Sequence, residues 1–295
     1  MELKNQQPPM SVDEQIDNLK ELGLQINDEN YAKSILNDIS YFRLIKAYGL
    51  GLKNKNSAYD GTVTFEQIVD LYFFNANFRQ ILFAEIEQIE VNLRCRISNH
   101  FSCKYGVLGY ENHDNFSNAD YHKEFLISIQ DEIERNSKAP FVKNFQENYT
   151  DGKIPFYALI ELFSFGTLSK FYKNMKSADK KAVAAHYGTG YTYLESWFEH
   201  LAFVRNICAH YGRLYNMNFP KTPTMYKQYT EQGIGNIRVF ASLICMKHLL
   251  PNDKHWTGFI DKISLLFEKY PNVKIELMGF PENWEKILNQ PPKSL

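Results

Sequence analysis

A chain of 295 residues is long enough for one large domain or two small ones, and it can bury a core. Hydrophobic residues at 44% and charged residues at 23% are ordinary for a globular protein, and 22 Phe with 19 Tyr predict an aromatic-rich interior. The net charge of −1 argues against a protein that coats long nucleic acid through bulk positive charge, while leaving room for a local basic site.

In chain order, the first residues lack the apolar stretch of a secretory leader. Ser11 to Glu14 then fits a capping box opening a first helix, with Pro8 and Pro9 just upstream. A second helix is expected over Asn30 to Leu36, followed by the segment Ser40 to Tyr48, which stops at Gly49 and Gly51. Lys53 to Gly61 reads as a polar loop. Thr62 to Tyr105 contains neither glycine nor proline, and Leu82, Ile86, Ile89, Leu93 and Ile97 recur at three and four, the stripe of a buried helix face. Glu90 precedes Arg94 by four residues, the favourable order for an intrahelical pair.

Gly106 to Asn118 marks another loop, and Tyr121 to Asn136 a helix. Further helices are expected over Leu168 to Met175, Lys180 to His186 and Tyr193 to Tyr215. After the break at Phe219 to Pro223 come Gly235 to Leu250 and Trp256 to Lys269, with Val273 to Met278 as a short extended piece. No run of alternating strands is visible, so the predicted class is all-α.

The chemistry gathers on the helix read from Trp197 to Asn216. Arg205-Asn206-Ile207-Cys208-Ala209-His210 places a permanent cation five residues before a group that titrates near neutrality. On a helical wheel with Arg205 at zero, Asn216 falls near ~20°, Ala209 near ~40°, Ala202 near ~60°, Arg213 near ~80°, Asn206 near ~100° and His210 near ~140°. One polar arc with an alanine floor results, opposite an apolar face that includes Val204, Cys208, Tyr211 and Tyr215. An imidazole and a guanidinium there suit transesterification in RNA, where the ribose 2′-OH attacks the adjacent phosphorus. His210 would move the proton, Arg205 would stabilise the charge on phosphorus, and Asn206 would hold a phosphate oxygen or orient the imidazole. Arg213 and Asn216 are further phosphate-contact candidates. Arg205 and His210 lie about 7.5 Å apart along the axis, so two arcs facing across a twofold would bracket one phosphate more easily, which suggests a homodimer. The spacing R-x4-H alone also occurs by chance.

With its neighbours, this stretch resembles the signature of the Abi-like (abortive infection, AbiD/AbiF type) bacterial family. The likeness runs from Ser196 to Asn216 and includes Ile39 to Leu44, Leu71 to Asn75, Ile89 to Arg94, Phe163 to Ser169 and Met278 to Trp284. Asn75 stands where the pattern prefers Asp, and Tyr215 where it prefers Trp. The resemblance implies membership of the HEPN superfamily, whose R-x4-6-H motif marks metal-independent RNases that often work as dimers. It implies an all-α HEPN-like bundle, RNA cleavage in phage defence, and Arg205, Asn206 and His210 as the catalytic set. On this reading residues 1–60 form an N-terminal helical extension, 61–219 the HEPN-like core, and 220–295 C-terminal helices packed on it.

Arg94 to His100 also satisfies the looser spacing. Arg94 paired with Glu90 is the simpler role, and a phosphate contact the alternative if it reaches the Arg205 arc. Lys170, Lys173, Lys176, Lys180 and Lys181 read as a solvated face rather than an RNA track. No phosphate-binding glycine loop and no zinc spacing is present, so no metal and no cofactor are expected. The four cysteines form no C-x-x-C pair, and no apolar run reaches about 18 residues, so free thiols, no membrane span and a cytoplasmic location are expected. The expected partners are RNA, as substrate or as an inhibitory small RNA, and an antitoxin. A non-catalytic module that only holds a structured RNA is the alternative function, and a plain helical scaffold a third.

Overall fold

The structure, a computed structural model, describes residues 8–251 and 254–290. The N-terminal segment in which no leader was read lies largely outside them. The chain is all-α: among the described residues no strand forms, and only two isolated bridges occur, Gln25 with Thr64 and Phe116 with Met175. Among the described residues no helix is long and apolar enough to cross a membrane.

The backbone divides into two units. The first comprises the residues up to Phe78 together with Ser264–Lys274. Helix α1 (Val12–Glu21) opens with the expected capping box, Glu14 N–H donating to Ser11 Oγ and Ser11 N–H to the Glu14 carboxylate. Helix α2 (Glu29–Asp38) is capped by Asp28, and its apolar positions Ala32 and Leu36 are buried. Phe42–Gly49 is a wide π-type helix that buries Leu44, Ile45 and Tyr48. Helix α3 (Phe65–Tyr105) contributes its first turns, where Phe74 lies 6.0 Å from Phe267 and Asn77 donates to the Tyr270 hydroxyl.

The second unit holds the candidate chemistry. The rest of α3 carries the predicted stripe, and Leu82, Ile86, Leu93 and Ile97 are fully buried. Around it come α4 (Ala119–Arg135), α5 (Pro140–Asn148), the single turn α6 (Phe156–Leu159), α7 (Phe165–Asn174), α8 (Ser177–Ala185) and α9 (Tyr191–Ala209). Helices α10 (Lys227–Thr230), α11 (Phe240–Leu249), α12 (Lys254–Lys269) and α13 (Trp284–Asn289) follow, α12 ending within the first unit. Helix α9 is the hub, packing on α7, α8 and α11. Its Trp197 is buried and donates from Nε1 to the Thr224 carbonyl at 2.7 Å.

Three expectations are corrected. Helix α7 starts at Phe165, three residues before the expected Leu168, because Ser164 Oγ accepts from Thr167 N–H and caps the helix there. Ile275–Met278 is a 3₁₀ turn rather than an extended piece, despite its alternating residues. Helix α9 ends at Ala209, seven residues before Asn216.

Candidate active site

The early end of α9 decides where the motif residues point. His210 is the C-cap residue, with its N–H donating to the Asn206 carbonyl. Tyr211 then takes a left-handed conformation at φ 57°, and Gly212 N–H returns to the Ile207 carbonyl at 2.8 Å while Tyr211 N–H reaches Cys208. That is the Schellman pattern, here with a tyrosine where glycine is usual. A left-handed tyrosine stores about 1 kcal/mol of backbone strain, and it sits beside the motif histidine. A side chain at Gly212 would force its neighbours to shift: a Cβ would lie 2.8 Å from Ile207 Cγ2 and 3.2 Å from its carbonyl oxygen.

A buried cation holds this turn. Arg79 of α3 is 6% exposed, and its Nη1 donates to the Gly212 carbonyl at 3.0 Å. Nothing in the motif points to Arg79. The signal was nevertheless legible, because Arg79 lies three residues before Leu82 on the apolar stripe, where an arginine requires a buried acceptor.

Arg205 lies on the last turns of α9, facing α3. Its guanidinium sits 5.6 Å from the centre of the Phe83 ring, and Nε lies 3.6 Å from Glu90 Oε2. Glu90 in turn accepts from Arg94 Nη2 at 2.8 Å. Arg94 is 8% exposed and also donates to the carbonyls of Ile160 and Phe163, while Glu161 stands 4.0 Å from its Nε. The two arginines border one cleft of about 270 Å³ with Phe83, Glu87, Glu90 and Glu161. Arg94 therefore reaches the neighbourhood of Arg205, but its donors face carbonyls and the Glu90 carboxylate. It aligns Glu90, and Glu90 aligns Arg205.

Asn206 and His210 are exposed on the next strip of the helix, away from Glu90. The His210 ring makes no hydrogen bond with another described residue, which leaves both nitrogens open to a ligand. Arg213 and Asn216 do not continue the wheel, since they follow the left-handed turn. Asn216, itself left-handed at φ 48°, accepts from Arg238 Nη1 at 2.8 Å, and that arginine also donates to the Leu277 carbonyl. Asn216 therefore serves the packing of the loop. Arg213 is partly exposed beyond the turn. Tyr211, placed on the apolar face by the wheel, is 67% exposed beside His210, whereas Tyr215 is buried.

His100, the partner in the looser spacing, belongs elsewhere. It bonds Asp179 at 2.7 Å, together with Lys104 and Tyr105, in a network that fastens α8 to the end of α3. Cys208 and Cys245 are buried thiols whose burial raises their pKa, Cys208 to about 12, and Cys95 and Cys103 are exposed.

A family model described as Abi-like protein matches residues 34–216. The chain belongs to the Abi-like family. The matched span includes Arg79, Glu90 and Arg94 as well as the whole segment from Arg205 to Asn216, so the arrangement described above falls within the Abi-like part of the chain. No curated protein and no solved structure matches it. The family's name associates this Abi-like protein with abortive infection.

Proposed function

We propose that this Abi-like protein is an endoribonuclease of the HEPN type, acting as an abortive-infection effector or toxin by cleaving RNA through its own 2′-OH. The observation that carries the reading is the end of α9, where an exposed, unpartnered His210 follows an Arg205 that Glu90 and Phe83 hold in place. In the reaction the O2′–P bond forms and the P–O5′ bond breaks. The proton leaving the 2′-OH is balanced by one delivered to the 5′-oxygen, and His210 serves one of these transfers, a contribution of typically ~10²–10⁴-fold. Arg205 offers its charge to the nonbridging oxygens, where preorganised donors act most strongly on the transition state. Asn206, one residue on, supplies an amide to a phosphate oxygen. A second copy facing this end of α9 would supply the same three groups again, and an inhibitory RNA or antitoxin covering it would silence the protein.

The Glu90 carboxylate favours a second reading. An arginine already paired is suited to gripping a phosphate without turnover, as in a module that only holds RNA. The test is incubation of the protein with RNA in EDTA, followed by analysis of product ends. Cleavage leaving 2′,3′-cyclic phosphate and 5′-hydroxyl ends supports the nuclease; saturable RNA binding with no new ends supports the binding module.

A further inference from the structure

Beside the motif strip the second unit contains an open cavity of about 470 Å³, lined mainly by α4, α7 and α9. Its inner wall is aromatic. Phe171 lies 5.4 Å from Phe116 and 5.3 Å from Phe125 in edge-on contacts, so these rings are locked by one another, and Phe203 closes the side toward α9. Ser169 lines the cavity at 8% exposure, and its hydroxyl bonds no other described residue.

The rim is charged. Lys170, Lys173 and Lys221 stand against Glu124 and Glu199. Glu199 takes Lys221 at 2.6 Å and Lys173 at 3.9 Å, while Lys170 is exposed with no ion-pair partner among the described residues. Along α9 the lining residues Glu199, Ala202, Phe203 and Asn206 follow the three-and-four spacing of one face, and His210 comes four residues after Asn206 on that face. Asn206 is thus shared: it belongs to the motif and it lines the cavity.

We propose that this cavity is a base subsite, holding one unstacked nucleobase of single-stranded RNA next to the bond presented to His210, with Lys170 on the flanking phosphate. The volume suits a nucleotide rather than a peptide side chain, within the roughly 300–1,000 Å³ of small-molecule sites. Phe125 and Phe203, the partly exposed rings of the lining, receive the base, and the Ser169 hydroxyl and Asn206 amide meet its polar edge. A duplex keeps its bases stacked and cannot fill the cavity. The inference rests on the reading of the chain as an RNA-acting protein, and its test is independent of turnover.

Binding of a 5′-fluorescein single-stranded oligoribonucleotide, and of the same strand in a duplex, is measured by anisotropy on full-length His210→Ala protein. Ser128 is exposed on the α4 side of the cavity, so Ser128→Trp fills the space without entering the core. The expected results are saturable binding of the single strand in preference to the duplex, and a loss of roughly 5- to 150-fold in Ser128→Trp, the value of one stacked base. Lys170→Glu weakens binding and reduces its salt dependence by about one phosphate. Unchanged binding in both variants, or no saturable binding of the single strand, overturns the subsite. Cleavage is scored separately on protein retaining His210. Cleavage with cavity-independent binding removes the subsite and leaves the nuclease; cavity-dependent binding with no cleavage removes the nuclease and leaves the subsite.

Discussion

Replacing Arg79 by methionine separates the turn that presents His210 from the fold that carries it. Methionine keeps most of the aliphatic stem in a position only 6% exposed, so little cavity forms. What is lost is the charged hydrogen bond to the Gly212 carbonyl at 3.0 Å. Hydrogen bonds to charged groups contribute about 1.5–3 kcal/mol, and removing the charge also relieves some desolvation, so the expected loss of stability is about 1–2 kcal/mol. Urea unfolding of the full chain reads this as a lower midpoint at an unchanged slope. The larger effect is expected on RNA cleavage below the transition. Tyr211 is already strained, and a turn without its anchor shifts His210; a misplacement of about 1 Å can lower a rate ~10²-fold. Arg79→Met that unfolds and cleaves like the wild type would refute the assignment of Arg79 as the holder of the turn.

Other outcomes follow from the same geometry. Gly212→Ala forces a Cβ against Ile207 and is expected to destabilise the chain by about 1–3 kcal/mol, read by urea unfolding, with loss of RNA cleavage. Glu90→Gln removes the carboxylate between Arg94 and Arg205; because Arg94 keeps its two carbonyl acceptors, the expected cost is roughly 1–3 kcal/mol, with cleavage reduced beyond what partial unfolding explains. Stability should also fall on acidification. His200 is buried between the Lys221 carbonyl and the Ser242 hydroxyl, and burial pushes its pKa down to about 4. The unfolded chain therefore binds the extra proton first, so the stability His200 provides is intact above about pH 6.5, declines as pH falls, and is gone near pH 4. His248, also lowered to about 4 by burial, adds in the same direction. His200→Gln should flatten that part of the profile in urea titrations at stepped pH; an equal pH slope in the variant would assign the acid sensitivity to other groups.

How much the residues disclosed depended on the range of the physics involved. The stripe from Leu82 to Ile97 follows from helical period alone, and the Glu90–Arg94 pair from spacing, so both were legible. The end of α9 was not, because the left-handed residue is Tyr211, a type with no preference for that conformation, and the glycine comes one position later. The wheel consequently carried Arg213 and Asn216 too far. Asn216 did offer a warning, since asparagine is among the few residues that enter the left-handed region readily. Ile275–Met278 misled through its alternation, which a short 3₁₀ turn against Arg238 also satisfies. The cavity beside Asn206 was out of reach, for its walls come from three helices brought together only by packing, and the lysines of α7 looked like an ordinary solvated face.

The most direct measurement is the rate of RNA cleavage by purified wild-type and His210→Ala protein, each shown by circular dichroism and urea unfolding to be equally folded. Cleavage by the wild type and a loss of at least ~10²-fold in His210→Ala is the predicted result. Cleavage by His210→Ala at the wild-type rate would contradict it and remove the imidazole at the end of α9 from the chemistry.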